Sequence, residues 1–247
     1  MKQPTDAGMN KTGIDMSPID IKELLSGVEA SQPSSQGDEQ TLASYRSGYI
    51  KEADPIGSVP VPGSLKGAAK TGLQKLTGKK PEVLLDKLGA RLAFERAGTR
   101  LYDALLGKCL IRSDEAAGFS GGLSLDRLRE FRNEEAQHFM LVMEAMKDLG
   151  ADPTAVTPGA DADGVASIGL MQVMTDPRTS IAQSLHALLI AELADHDGWE
   201  LLIKLADELG QDEMANTFRG ALAEEEQHLT TIRGLVEKSC MNEAGVA

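Results

Sequence analysis

At 247 residues and 41% hydrophobic content, the chain can form one large domain, or one domain with an extension, around a sizeable core. A net charge of −13 argues against nucleic-acid binding, since a phosphate backbone would be repelled; an acidic surface of this kind mainly keeps a protein in solution. Cys109 and Cys240 are too few for a disulfide framework and lack Cys-x-x-Cys spacing, Met1–Thr12 has no apolar leader core, and no run is long enough to span a bilayer, so a cytoplasmic location and no membrane partner are expected.

Residues 1–80 read as an N-terminal arm, partly disordered or docked on the rest. Within it Ile19 to Val28 has helical apolar spacing, while Pro55 to Gly63, with three prolines and two glycines, excludes regular structure. Ser64 to Lys80 carries Lys66, Lys70, Lys75, Lys79 and Lys80 without an acid, and reads as a solvated linker or a weak amphipathic helix that docks on acidic surface. From Pro81 the pattern changes to long amphipathic helices. The first is predicted from Pro81 to about Leu106, with a Gly/Ser-rich loop from Gly107 to Gly122 after it. A second helix covers about Ser124 to Leu149 and is stopped by Gly150, Asp152 and Pro153. A connection of about thirty residues follows, with a short helix near Asp163 to Met174 and a break at Asp176-Pro177. A third long helix spans about Ser180 to Leu209, capped by Gly210, and a fourth runs from about Asp212 to Ser239. The bundle is bounded at residues 81–240, with 241–247 as a short tail. No alternating strand pattern competes, so the fold class is all-α: two helical hairpins joined by one long crossover.

Each long helix carries carboxylate or imidazole groups inside its apolar stripe. In chain order these are Glu95, then Glu135 with His138, then Glu192, then Glu225 with His228. The two Glu-x-x-His units lie in matching strings, Glu134-Glu135-Ala136-Gln137-His138 and Glu224-Glu225-Glu226-Gln227-His228, which mark the hairpins as a diverged internal repeat. Spacing i, i+3 puts Glu and His on one helix face. Four glutamates facing one core could not stay unpaired, because an uncompensated buried carboxylate costs several kcal/mol. Two divalent cations balance four carboxylates, and a carboxylate–imidazole set suits iron or manganese rather than a thiolate zinc site.

The region from Pro81 to Ser239, with its Glu, Glu-x-x-His, Glu, Glu-x-x-His order, resembles the ferritin-like di-iron carboxylate superfamily, most closely its rubrerythrin and ferritin branch. The resemblance implies a ferritin-like four-helix bundle holding two iron or manganese ions per chain. It implies Glu95 and Glu192 as terminal carboxylates, Glu135 and Glu225 as bridging ones, and His138 and His228 as terminal imidazoles. Glu95 and His138 would share one ion, and Glu192 and His228 the other. It also implies reaction with O2 or peroxide. The chain lacks the four cysteines of a rubredoxin module, so electrons would come from an external donor.

Further candidates surround this set. Asp195 and His196 follow Glu192 on the same helix, as extra ligands or as partners of a ligand histidine. Tyr102 lies two turns beyond Glu95, as a hydrogen-bond donor behind a ligand or a redox-active phenol. Arg91, one turn before Glu95, is placed to balance a carboxylate, Trp199 to pack the core, and His186 to lie at a helix edge. Glu134, Glu224, Glu226, Gln137 and Gln227 project about 100° away from the ligand face and are expected on the solvated side. The resulting functional expectation is a redox enzyme acting on O2 or peroxide, with or without a small-molecule substrate. A ferroxidase or iron-handling protein and a metal-stabilised scaffold are the alternatives, and assembly as a homodimer is compatible with all three.

Overall fold

A computed structural model describes residues 14–31, 38–60, 80–117 and 124–246, and these fall into two compact units divided after Pro55. In the first unit a 3-10 turn at Ile14–Met16 precedes α1 (Pro18–Ala30), which contains the predicted Ile19–Val28 segment, and α2 (Glu39–Glu52) follows. Asp38 caps α2 by accepting a hydrogen bond from the Thr41 amide at 2.5 Å. Neither helix buries a residue, and Ile19, Leu24, Tyr49 and Ile50 are exposed. The lysine-rich stretch before Lys80 lies outside the described residues.

The second unit is built from α3 (Pro81–Ile111), α4 (Ser113–Ala117), α5 (Leu125–Asp148), α6 (Pro158–Ala166), α7 (Ile168–Thr175), α8 (Ile181–Glu208) and α9 (Asp212–Ala244). No strand occurs among the described residues, and none of the described helices is long and apolar enough to cross a membrane. The fold is an all-α helical bundle. Helices α3 and α5 pair as one hairpin and α8 and α9 as the other, with α3 against α8, while the crossover helices α6 and α7 pack on α3.

Local chemistry fixes the helix starts. Pro81 occupies the first turn of α3, where its missing N–H is not needed. Ser124 caps α5, and Ser180 caps α8 in a reciprocal capping box with Gln183. Helices α5 and α8 close alike: Gly150 and Gly210 take left-handed φ of 79° and 71°, and the next amide, Ala151 or Gln211, bonds back to Met146 or Ala206.

Four features differ from the expectations above. Helix α3 continues through Gly107 to Ile111, because Cys109 is buried in the core and Lys108 is anchored by Thr179 Oγ1 at 2.5 Å and Ser184 Oγ at 2.8 Å. Of the loop expected from Gly107 to Gly122, residues 118–122 lie outside the described residues, and 113–117 are helical. The crossover holds two helices rather than one, and α9 runs past Ser239 to Ala244.

The interior is divided along the helix axes. One apolar cluster includes Leu101, Leu105, Leu128, Phe131, Leu188 and Ile232. The other includes Leu88, Leu92, Val142, Trp199, Phe218 and Ala221. On α3 the first cluster begins after Glu95 and the second ends before it. The same holds around Glu135 and His138, around Glu192 and Asp195, and around Glu225 and His228. A polar layer is thus closed above and below by hydrocarbon.

Candidate metal centre

Glu95, Glu135, His138, Glu192, Glu225 and His228 are each at most 2% exposed and all lie in that layer. Their ligand atoms group within 4.8 Å of one another in overlapping sets: Glu135, Glu192, Glu225 and His228; Glu95, His138 and Glu225; and Glu95, Glu135, Asp195 and Glu225. Glu225 belongs to all three sets, and Glu95 and Glu135 to two each, so Glu225 sits at the centre. His138 groups with Glu95 and Glu225, and His228 with Glu135, Glu192 and Glu225. His138 Nδ1 is 2.7 Å from Glu225 Oε1 and 3.8 Å from Glu95 Oε2. His228 Nδ1 is 3.3 Å from Glu225 Oε2, 3.4 Å from Glu135 Oε1 and 3.8 Å from Glu192 Oε2.

The hydrogen-bond inventory tests whether this set fits a metal. Both oxygens of Glu95, both of Glu225, Glu135 Oε2, Glu192 Oε2 and Nδ1 of each histidine are sealed from solvent and accept or donate no hydrogen bond. Buried polar groups are nearly always bonded. Glu95 Oε1 has the Arg91 guanidinium beside it at 3.2 Å, and the other seven atoms converge in one layer without a hydrogen bond, the arrangement that cations would satisfy; the residues fit.

The outer edge of each imidazole is fixed by the opposite helix. His138 Nε2 lies 2.8 Å from Glu224 Oε2, and His228 Nε2 lies 2.7 Å from Glu134 Oε2. A carboxylate only accepts, so each Nε2 carries the proton and donates, leaving Nδ1 to face the cluster. Glu134 and Glu224, expected on the solvated side, instead each turn a carboxylate oxygen onto a histidine. They are 21% and 44% exposed and reach across the bundle to the histidine of the other repeat. Their repetition at matching positions in the two strings was the available signal. Glu226, Gln137 and Gln227 do lie exposed.

The secondary candidates separate. Asp195 is buried in the cluster and pairs with Arg91 at 2.6 Å, while Arg91 Nε lies 3.2 Å from Glu95 Oε1. Tyr102 donates its hydroxyl hydrogen to Glu192 Oε1 at 2.6 Å. His196 stands apart from the cluster, pairing Nε2 with Glu226 Oε2 at 3.0 Å. Trp199 is fully buried, with its ring edge-on to His138 at 5.5 Å, and His186 is exposed. Gly98, which sequence reading left without a role, is one the site depends on. A Cβ there would overlap Glu135 Oε2, so the missing side chain is the space that the carboxylate fills.

Electrostatics follow from burial. Desolvation pushes Glu95, Glu192 and Asp195 well above the usual carboxylate range; the Asp195 charge adds to the effect at Glu95 and the Glu135 charge to that at Glu192, while Arg91 opposes it at Asp195. Burial also raises Glu135, reinforced by Glu225. Burial alone would raise Glu225 too, but the two imidazoles beside it hold it at about 2. Burial would lower His228, yet Glu135 and Glu225 raise it to about 12, and Glu225 likewise raises His138. Without metal, protonated imidazoles thus supply part of the positive charge that the carboxylates require.

Residues 125–241 match the family model of the ferritin-like domain. No curated protein and no solved structure matches the chain significantly. The match runs from α5 into α9 and contains Glu135, His138, Glu192, Glu225 and His228, while Glu95 is supplied by α3, which packs on α5 and α8. Residues 125–241, from α5 into α9, are thus a ferritin-like domain.

Proposed function

We propose that the polar layer is a dinuclear metal site, for iron or manganese, whose ions react with O2 or peroxide. The observation that carries this reading is the convergence of seven sealed, unbonded donor atoms from six residues on four helices. Glu95 and His138 would hold one ion and Glu192 and His228 the other, with Glu135 and Glu225 shared. When bound, two such ions supply paired one-electron changes for reduction of a small oxidant.

The chain's own groups set the conditions. Glu134 and Glu224 retain the Nε2 protons and so orient Nδ1 inward. Tyr102 holds Glu192 and keeps a proton on its own oxygen, since burial and the neighbouring Glu192 charge raise the phenol well above its ordinary value. Phe131 packs on the His228 ring at 4.2 Å and Trp199 on the His138 ring, which keeps water from both imidazoles.

The burial of all six residues favours, as the reducing partner, Fe2+ itself or an electron donor acting from outside over an organic molecule lodged against the ions. This weights the ferroxidase and iron-handling reading above oxygenation of a bulky substrate. The test is to load the protein with Fe2+ under anaerobic conditions and mix it with O2 or H2O2, following absorbance and oxidant consumption. Oxidation of protein-bound Fe2+ faster than that of free Fe2+ is expected. Bound Fe2+ oxidised no faster than free Fe2+ would contradict the redox assignment.

A further inference from the structure

We propose that Arg91 is a built-in third cation that limits the site to two metal ions. This rests on the dinuclear reading above. The cluster contains a fifth buried acid, Asp195, beyond the four glutamates. Three oxygens converge on the Arg91 guanidinium: Asp195 Oδ1 at 2.6 Å, the Asp195 main-chain oxygen at 2.8 Å and Glu95 Oε1 at 3.2 Å. Such a group of hard oxygens is also what a divalent cation takes as ligands.

Charge gives the same result. Ionised, the five acids carry five negative charges, and Arg91 returns one positive. The remainder equals the charge of two divalent ions, so with Arg91 in place the layer is neutral at two metals, and a third would be in excess. Geometry holds the guanidinium there. Arg91 is 5% exposed, stacks on Phe94 at 4.3 Å, and occupies space that a Cβ at Gly198 would invade. It also lines a cavity of about 380 Å3 between α3, α8 and the crossover helices. Removal of the guanidinium would open the three oxygens to water and ions from that side.

The experiment counts ions. Wild type, Arg91→Met and Arg91→Lys are equilibrated with excess Mn2+, passed through a desalting column and analysed for metal per chain. Wild type and Arg91→Lys, which keeps the charge, are expected to hold two ions, and Arg91→Met three, the third entering with one hydroxide from water so that the layer is again neutral. Arg91→Met that holds two ions beside a wild type holding two overturns the proposal and leaves the dinuclear reading intact. A wild type holding fewer than two defeats that reading instead. Should Arg91→Met fail to fold, Asp195→Asn decides. It leaves Arg91 with one fewer opposing charge, so the second Mn2+ should bind at least about tenfold more weakly, and unchanged affinity overturns the proposal.

Discussion

His138 and His228 are each held at Nε2 by a glutamate of the other repeat, which turns Nδ1 toward the carboxylate cluster. The arrangement is reciprocal, α5 supplying Glu134 to α9 and α9 supplying Glu224 to α5. Glu134→Ala and Glu224→Ala each release one ring and leave its tautomer unfixed. Partners of this kind are worth about ten- to hundredfold in metal affinity, so each variant should lose affinity on that scale in competition titrations against a chelator. Glu226→Ala is the control, since Glu226 pairs with His196 outside the cluster, and its affinity should match wild type. The ligand candidates were legible because each sits on the apolar stripe of its own helix. Glu134 and Glu224 were not, because a single-helix projection turns them outward and only the neighbouring helix shows what they meet. Asp195 and Tyr102 were legible as positions, but their partners, Arg91 and Glu192, are distant in sequence.

Among the elements, those with strong local signals were readable. Pro81, Ser124 and Ser180 start helices within a residue of expectation, and Gly150 and Gly210 end them. Gly107 misled for a physical reason. A glycine inside a helix costs only about 1 kcal/mol relative to alanine, and the anchored Lys108 and buried Cys109 carry α3 through it. Helix α2 was legible but unread: Leu42, Tyr45, Tyr49 and Ile50 follow helical spacing behind the Asp38 cap, although all four are exposed. The crossover was legible as a helical connection but not as two helices, since their junction at Ser167 carries neither proline nor glycine.

For the molecule as a whole, a buried polar layer held between two apolar clusters makes stability depend on protons and, on the proposed dinuclear reading, on metal. The raised carboxylates Glu95, Glu135, Glu192 and Asp195 bind more protons in the fold than in the unfolded chain, and so do the two histidines. Their contribution is complete below the ordinary carboxylate and imidazole values and is lost as pH rises through the raised ones. Glu225, held at about 2, acts oppositely, and its contribution fades only as pH falls from the ordinary carboxylate range toward that value. The melting temperature of metal-free protein should therefore fall between about pH 5 and pH 8. Divalent metal displaces the same protons, so the rise in melting temperature on adding Mn2+ should be larger at about pH 8 than at about pH 6. Melting curves with and without a chelator check both slopes.

If six residues on four helices hold two ions together, anomalous diffraction from crystals of the Fe2+- or Mn2+-loaded protein will locate both. Two peaks about 3.5–4 Å apart are expected in the polar layer, one beside Glu95 and His138, the other beside Glu192 and His228, with Glu135 and Glu225 between them. A single peak, or peaks confined to surface carboxylates with the layer empty, would contradict the dinuclear reading.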